Sequence, residues 1–250
     1  VEKVIFKNSR QLNLTGNLLR ADSQTIIIMC HGFLSDKSSR GRFDRFAKKF
    51  QNLGYNVLAF DFGGCGESDD ERLTLAKEID DLKSALAYVK ALGFNRIALH
   101  GHSLGTKVCL SCYDPSIVTM VLTGALTGPI NYNWEEIFSE EQMLELQQKG
   151  YLTEHLKEGP RQKVEIDKQM LLDFGSGDQK ELLSRVKCPV LIVHGNGDEE
   201  EQRLYEISKE GIKWLSDDSR LELIDGAPHS FMEHLDTLEN LFIDWYKENL

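Results

Sequence analysis

Three side chains in this 250-residue chain have the types and the order that nucleophilic catalysis requires: Ser103, Asp198 and His229. Ser103 is the centre of Gly101-His102-Ser103-Leu104-Gly105, a Gly-x-Ser-x-Gly pentapeptide. Between a strand and a helix such a pattern makes a sharp turn, with flanking glycines leaving the central side chain exposed. A serine hydroxyl is a poor nucleophile at neutral pH and needs a base to take its proton as it attacks. His229, in Pro228-His229-Ser230-Phe231, carries the side chain whose ordinary pKa suits that task. Asp198, in His194-Gly195-Asn196-Gly197-Asp198, is the expected acceptor of the other ring N–H. The backbone N–H groups of Phe33 and Leu104 are the candidate donors to a tetrahedral oxyanion, each typically worth about 3 kcal/mol to the transition state. The pentapeptide also arises by chance, so its weight comes from partners that fall in workable places.

Those places are strand ends. Thr25–Cys30 is a continuous apolar run, as expected of a strand buried on both faces, and it leads into His31-Gly32-Phe33. Residues 96–100 form the strand before Ser103, 188–194 the strand before Asp198, and 221–224 the strand before His229. Further strands are read at 4–6, around 12–18, at 56–60 and at 118–122. Amphipathic helices are read at 41–53, from Leu75 to near Gly93, from Leu104 to about Cys112, at 201–215, and in a closing segment with Leu238, Phe242 and Trp245. Strands alternating with helices imply an α/β fold, a mostly parallel sheet flanked by helices, where chemistry gathers outside the carboxyl ends of the strands. The rhythm breaks between 125 and 185, read as a small inserted lid within a single domain spanning 1–250. It holds a helix candidate at 135–148 and a hairpin turning at Gly159-Pro160. Trp134, Ile137, Phe138, Met143, Leu144 and Tyr151 are its candidate pocket residues, roofing Ser103 against an apolar acyl group.

Composition narrows the partners. A net charge of −11 disfavours nucleic acid and anionic membranes, whose phosphates it would repel. No run has the apolar length of a membrane span, and the basic run from Arg40 to Lys49 is the wet face of a helix. The glycine-rich stretch 61–68 lacks the third glycine of a dinucleotide fingerprint. Five scattered cysteines suggest reduced, buried thiols and a cytoplasmic home. Cys109-x-x-Cys112 falls inside a helix with no second pair, so neither metal nor cofactor is expected. His31 is expected to brace its loop. Oligomeric state stays open, a homodimer included.

Taken together and in this order, the four motifs around Phe33, Ser103, Asp198 and His229 resemble the α/β-hydrolase-fold serine esterase and lipase superfamily. The phrasing is most similar to its feruloyl and cinnamoyl esterase branch. The resemblance implies hydrolysis of a small carboxylic ester, possible aromatic acyl groups, and a serine rather than the aspartate nucleophile of dehalogenases and epoxide hydrolases. A thioesterase, an acylglycerol lipase, a C–C bond hydrolase and a non-catalytic binding protein on the same scaffold are the alternatives. Two departures stand out. Members of the family it resembles often carry Asp-x-Arg-Gly-x-Gly-x-Ser where this chain has Gly63 at the arginine position, which predicts a missing anchor and a looser loop. Glu199, Glu200 and Glu201 sit beside Asp198 as rival carboxylates; Asp198 is preferred for its spacing after His194-Gly195.

Overall fold

The computed structural model describes residues 1–250. The chain runs β1 (Glu2–Lys7), β2 (Asn13–Leu19), β3 (Thr25–Cys30), α1 (Arg42–Asn52), β4 (Asn56–Phe60), α2 (Leu75–Ala91), β5 (Arg96–His102), α3 (Leu104–Ser111) and β6 (Ile117–Thr123). A long segment then carries α4 (Trp134–Ile137), α5 (Glu140–Lys149), β7 (Tyr151–His155), β8 (Lys163–Asp167), α6 (Lys168–Phe174) and α7 (Gln179–Ser184). β9 (Val190–Gly195), α8 (Glu199–Gly211), β10 (Arg220–Ile224) and α9 (Leu235–Asn249) complete it. Eight strands form one sheet in the order β1-β2-β4-β3-β5-β6-β9-β10. β2 alone runs opposite to the rest, antiparallel to both β1 and β4; from β4 to β10 the pairing is parallel.

The pleat explains the two cores. Along β3, Ile26, Ile28 and Cys30 join an apolar cluster with α2 and α3, whereas Ile27 and Met29 join one with α1 and α9. Helices on both faces leave the carboxyl ends of β3, β5, β9 and β10 at one edge, where the loops with chemistry emerge. All five cysteines are buried and unpaired, and no helix is long and apolar enough to cross a membrane.

Two expectations need correction. The helix read at 135–148 is two helices, because Phe138 turns to extended backbone and Ser139 starts α5 with a capping box shared with Gln142. The loop after β4 is also anchored despite Gly63. Arg10, from the turn between β1 and β2, bonds Glu71 twice at 2.8 Å, Asp81 at 2.7 Å, and Asp80. The Gly63 N–H donates to Asp81 at 2.8 Å, and a Cβ on Gly63 would lie 3.8 Å from Arg10 Nη2. The cation missing from position 63 arrives from another element. Beside it, Lys37 binds Asp61 through both its backbone N–H and its ammonium, each at 2.6 Å, tying the loop after β3 to the end of β4.

Candidate active site

Ser103 sits between β5 and α3 with φ 52° and ψ −125°, a conformation that L-residues adopt only under constraint. Its constraints are visible. The Ser103 N–H donates to Thr123 O on β6 at 2.9 Å, and Thr106 Oγ1 donates back to Ser103 O at 2.6 Å. Gly105 lets the helix pass the end of β3; a Cβ there would lie 2.3 Å from Cys30 O. The turn thus lifts the hydroxyl above the sheet at the N-terminus of α3.

His229 meets it from the loop after β10, with Nε2 2.9 Å from Ser103 Oγ. The other ring nitrogen, Nδ1, lies 2.5 Å from Glu201 Oε1. Asp198 does not take that place. Its Oδ1 accepts the Glu201 backbone N–H at 2.8 Å as the N-cap of α8, and its Oδ2 accepts the His229 backbone N–H at 2.7 Å. Both carboxylate oxygens are therefore spent on backbone, and the acid on the ring is a helical turn further along. The expected role of Asp198 is corrected accordingly: it positions the backbones of the two residues that meet.

Glu201 is fully buried yet richly supplied with donors. Its second oxygen accepts from the Gly195 N–H at 2.9 Å and from His194 Nδ1 at 3.0 Å. With Nδ1 donating, His194 Nε2 accepts from Ser208 Oγ at 2.9 Å, and Ser208 accepts from Thr127 at 2.9 Å. Two imidazoles thus converge on one carboxylate. Burial pushes the Glu201 pKa up, but the hydrogen bonds and charges of His194 and His229 prevail and bring it down to about 2. Burial pulls His229 down; the Glu201 hydrogen bond and the charges of Glu200, Glu201 and Asp198 overcome that and raise it above its ordinary value. Gly124, at φ +54°, leaves room for the pair: a Cβ there would lie 2.7 Å from His229 Cε1 and 2.9 Å from Glu201 Oε1.

Neither the Phe33 nor the Leu104 backbone N–H donates a hydrogen bond within the chain, and both residues lie beside Ser103, Leu104 as the next residue and Phe33 across the shared cavity. His31 braces its loop, its Nδ1 bonded to Gly32 O at 2.9 Å and its Nε2 accepting from the Phe62 N–H at 3.3 Å.

A cavity of about 430 Å³ opens over Ser103. Of the six expected pocket residues, Trp134 and Ile137 line it. Phe138 and Met143 pack into the main core, Leu144 is exposed, and Tyr151 on β7 lies under Arg72, 3.8 Å from guanidinium to ring centre. The helix ends at Ile137, and α5, which starts after the break at Phe138, contributes no residue to the cavity. The wall is instead completed by Tyr132 and Phe174, whose rings contact Trp134 at 5.0 and 5.3 Å, with Phe33 5.4 Å from Phe174. Tyr132 lies in irregular chain and Phe174 ends α6, so no periodic signal marks either. Arg42, Arg40 and Glu200 also reach the cavity.

A serine in a strained strand-to-helix turn, at the carboxyl edge of a mostly parallel sheet and bonded to a histidine, defines an α/β hydrolase. The chain belongs to the serine aminopeptidase S33 family (Hydrolase_4), whose model matches residues 21–182. Among curated proteins, it is 24% identical to an uncharacterized 31.7 kDa protein of the traX-finO intergenic region of Escherichia coli, over 90% of this chain and 91% of that one. Among solved structures, it resembles Est1E from Butyrivibrio proteoclasticus, determined with ferulic acid bound, at a TM-score of 0.79 and 20% identity over 98% of both chains. The α/β hydrolase GrgF from Penicillium sp. sh18 is similar at a TM-score of 0.78 and 19% identity, covering 99% of this chain and 98% of that one.

Proposed function

We propose that this protein hydrolyses carboxylic esters through an acyl-serine intermediate, with Ser103 as nucleophile, His229 as general base and acid, and Glu201 as the orienting acid. The observation that carries this is the unbroken chain from Ser103 Oγ through both His229 nitrogens to Glu201. Because Glu201 holds the Nδ1 proton, Nε2 is free to accept the serine proton as Oγ attacks the ester carbonyl. The carbonyl oxygen becomes an oxyanion, for which the Phe33 and Leu104 N–H groups are the uncommitted donors. The imidazolium, stabilised by Glu201, then protonates the leaving alcohol, and water attacks the acyl-serine by the same route. The aromatic wall of Phe33, Tyr132, Trp134 and Phe174 favours an apolar or aromatic acyl group, as in ferulate and cinnamate esters.

The test is labelling with a fluorophosphonate, followed by peptide mapping and turnover of a graded series of acetyl, butyryl and cinnamoyl esters. Labelling at Ser103 that is lost in Ser103→Ala, with ester turnover lost in parallel, is expected. An unlabelled Ser103 with no ester or thioester turnover would leave a binding protein on a hydrolase scaffold.

A further inference from the structure

Arg42 is the one buried arginine in the molecule, and it lines the cavity over Ser103. Its partners are neutral: Nη1 donates to Ser230 O at 2.6 Å and Nη2 to Ser39 Oγ at 2.9 Å. Its Nε is buried without any partner. No carboxylate lies within ion-pair distance, whereas the buried ammonium of Lys37 has both Asp61 and Glu67. A buried guanidinium without a counter-charge is costly, and it persists where something supplies that charge. The backbone approaching it is unusual as well, with Ser39, Arg40 and Gly41 in succession at φ 49°, 58° and 82°.

The cavity carries both signs of charge. Glu200 is hydrogen-bonded on the aromatic side, where it accepts from Tyr132 OH at 2.6 Å, and its charge also reaches His229. Arg42 belongs to the histidine side, bonded to the carbonyl of the residue after His229. His229 must hand its proton to the departing alcohol, so the alcohol half of an ester lies on the Arg42 side of Ser103. An anionic acyl group would face Glu200.

Building on the esterase reading, we propose that Arg42 is a carboxylate subsite and that the substrate is an ester whose alcohol half carries a carboxylate, a hydroxy acid acylated on its hydroxyl. The guanidinium has N–H donors beyond the two already engaged, and a planar carboxylate matches its fork. Burial, with the nearby charge of Arg40, pulls the Arg42 pKa down to about 10, in keeping with a cation that lacks its counter-ion.

The experiment compares 4-acetoxyphenylacetate with its primary amide, which share the acetyl group and a phenol leaving oxygen and differ in charge at the far end of the leaving group. Wild type is expected to favour the carboxylate by about ten- to hundred-fold in kcat/KM, mostly through KM, the range of one hydrogen-bonded ion pair. Arg42→Met should bring that ratio close to one, and Arg42→Lys should retain part of it. The product 4-hydroxyphenylacetate should inhibit wild type competitively and its amide should not, a measurement that needs no variant to fold. A wild-type ratio near or below one, no inhibition by the acid, or an Arg42→Met that slows both esters equally with the ratio intact would each overturn the subsite. Hydrolysis of the amide at a measurable rate alongside any of these results would leave the esterase reading standing. Loss of all turnover and of Ser103 labelling would remove that reading instead.

Discussion

Glu78 and Glu201 occupy nearly the same setting, and their pKa values move in opposite directions. Each lies in the first turn of a helix, α2 or α8, packed on the same face of the sheet, and each is buried. Glu201 is brought down to about 2, while burial and the neighbouring charge of Asp81 push Glu78 well above the carboxylate range. Helix dipole and depth are common to both, so neither decides the outcome. Directed donors do. Glu201 receives His229, His194 and the Gly195 N–H, and Glu78 accepts no comparable hydrogen bond. Where hydrogen-bond donors converge on a buried carboxylate, as at Glu201, its pKa falls; where they do not, as at Glu78, burial raises it.

The sharpest way to break the contrast is to remove the charge at Glu201. Glu201→Gln should lower kcat by about ten-thousand-fold, the cost of losing the orienting acid in a well-studied triad. Asp198→Asn keeps one acceptor for the backbone and should cost no more than about ten-fold in kcat, with a cap loss of about 1 kcal/mol in stability. Steady-state kinetics on one chromogenic ester decides the order, and a reversed order would return the ring to Asp198.

Taking away one donor is a smaller step. His194→Phe should reduce kcat by about ten- to hundred-fold, since a hydrogen bond to a charged group is worth about 1.5–3 kcal/mol. It should also move the alkaline-rising limb of kcat/KM upward, because the carboxylate then bears more of its charge toward His229. His194→Asn places an N–H near the former Nδ1 and should restore both. A stability loss with an unmoved pH limb would reduce His194 to packing.

In wild type, kcat/KM should rise with pH through a value above 6.5, the ordinary imidazole pKa, and level off beyond it. The sign for folding is opposite. The stabilisation from His229 is complete below the unfolded imidazole's pKa and is lost as pH rises through the raised folded value. That from Glu201 is present above 4.5 and is lost as pH falls toward about 2. A kcat/KM profile flat from pH 5 to 9, with chemistry limiting, would contradict the assignment of the base (a range of about 2 units either side of the imidazole value).

The least change is expected at Glu78. Its folded pKa is raised, so the unfolded chain gives up its proton first and stability falls as pH climbs from the ordinary carboxylate value toward the folded one. Glu78→Gln should remove that slope, raising Tm at pH 8 relative to wild type more than at pH 4, with kcat unchanged.

How much of this was legible in sequence follows from distance along the chain. The strand before Ser103, the turn and the helix after it are contiguous, and hydrophobic period with glycine spacing marks all three. The hydrogen bonds of Asp198 and Glu201 depend on which carboxylate a helix cap has already claimed. A signal was present: Asp198 followed three residues later by Glu201 is an N-cap pattern, and an N-capping carboxylate is committed to backbone N–H groups. The pocket wall was less accessible. Tyr132 and Phe174 reach Trp134 from different parts of the segment between β6 and β9, and nothing periodic links them.

Arg10 also carries a consequence for what position 63 can accept. With its guanidinium among Glu71, Asp80 and Asp81, the space beside Gly63 is taken. An arginine at 63 would bring its Cβ within 2.9 Å of Glu71 Oε2, the movable end of that side chain, and a second cation to carboxylates already engaged. Gly63→Arg should therefore gain little while Arg10 is present and gain more in an Arg10→Ala background. The two positions are coupled: what an arginine at 63 does depends on whether residue 10 already supplies the cation to Glu71, Asp80 and Asp81.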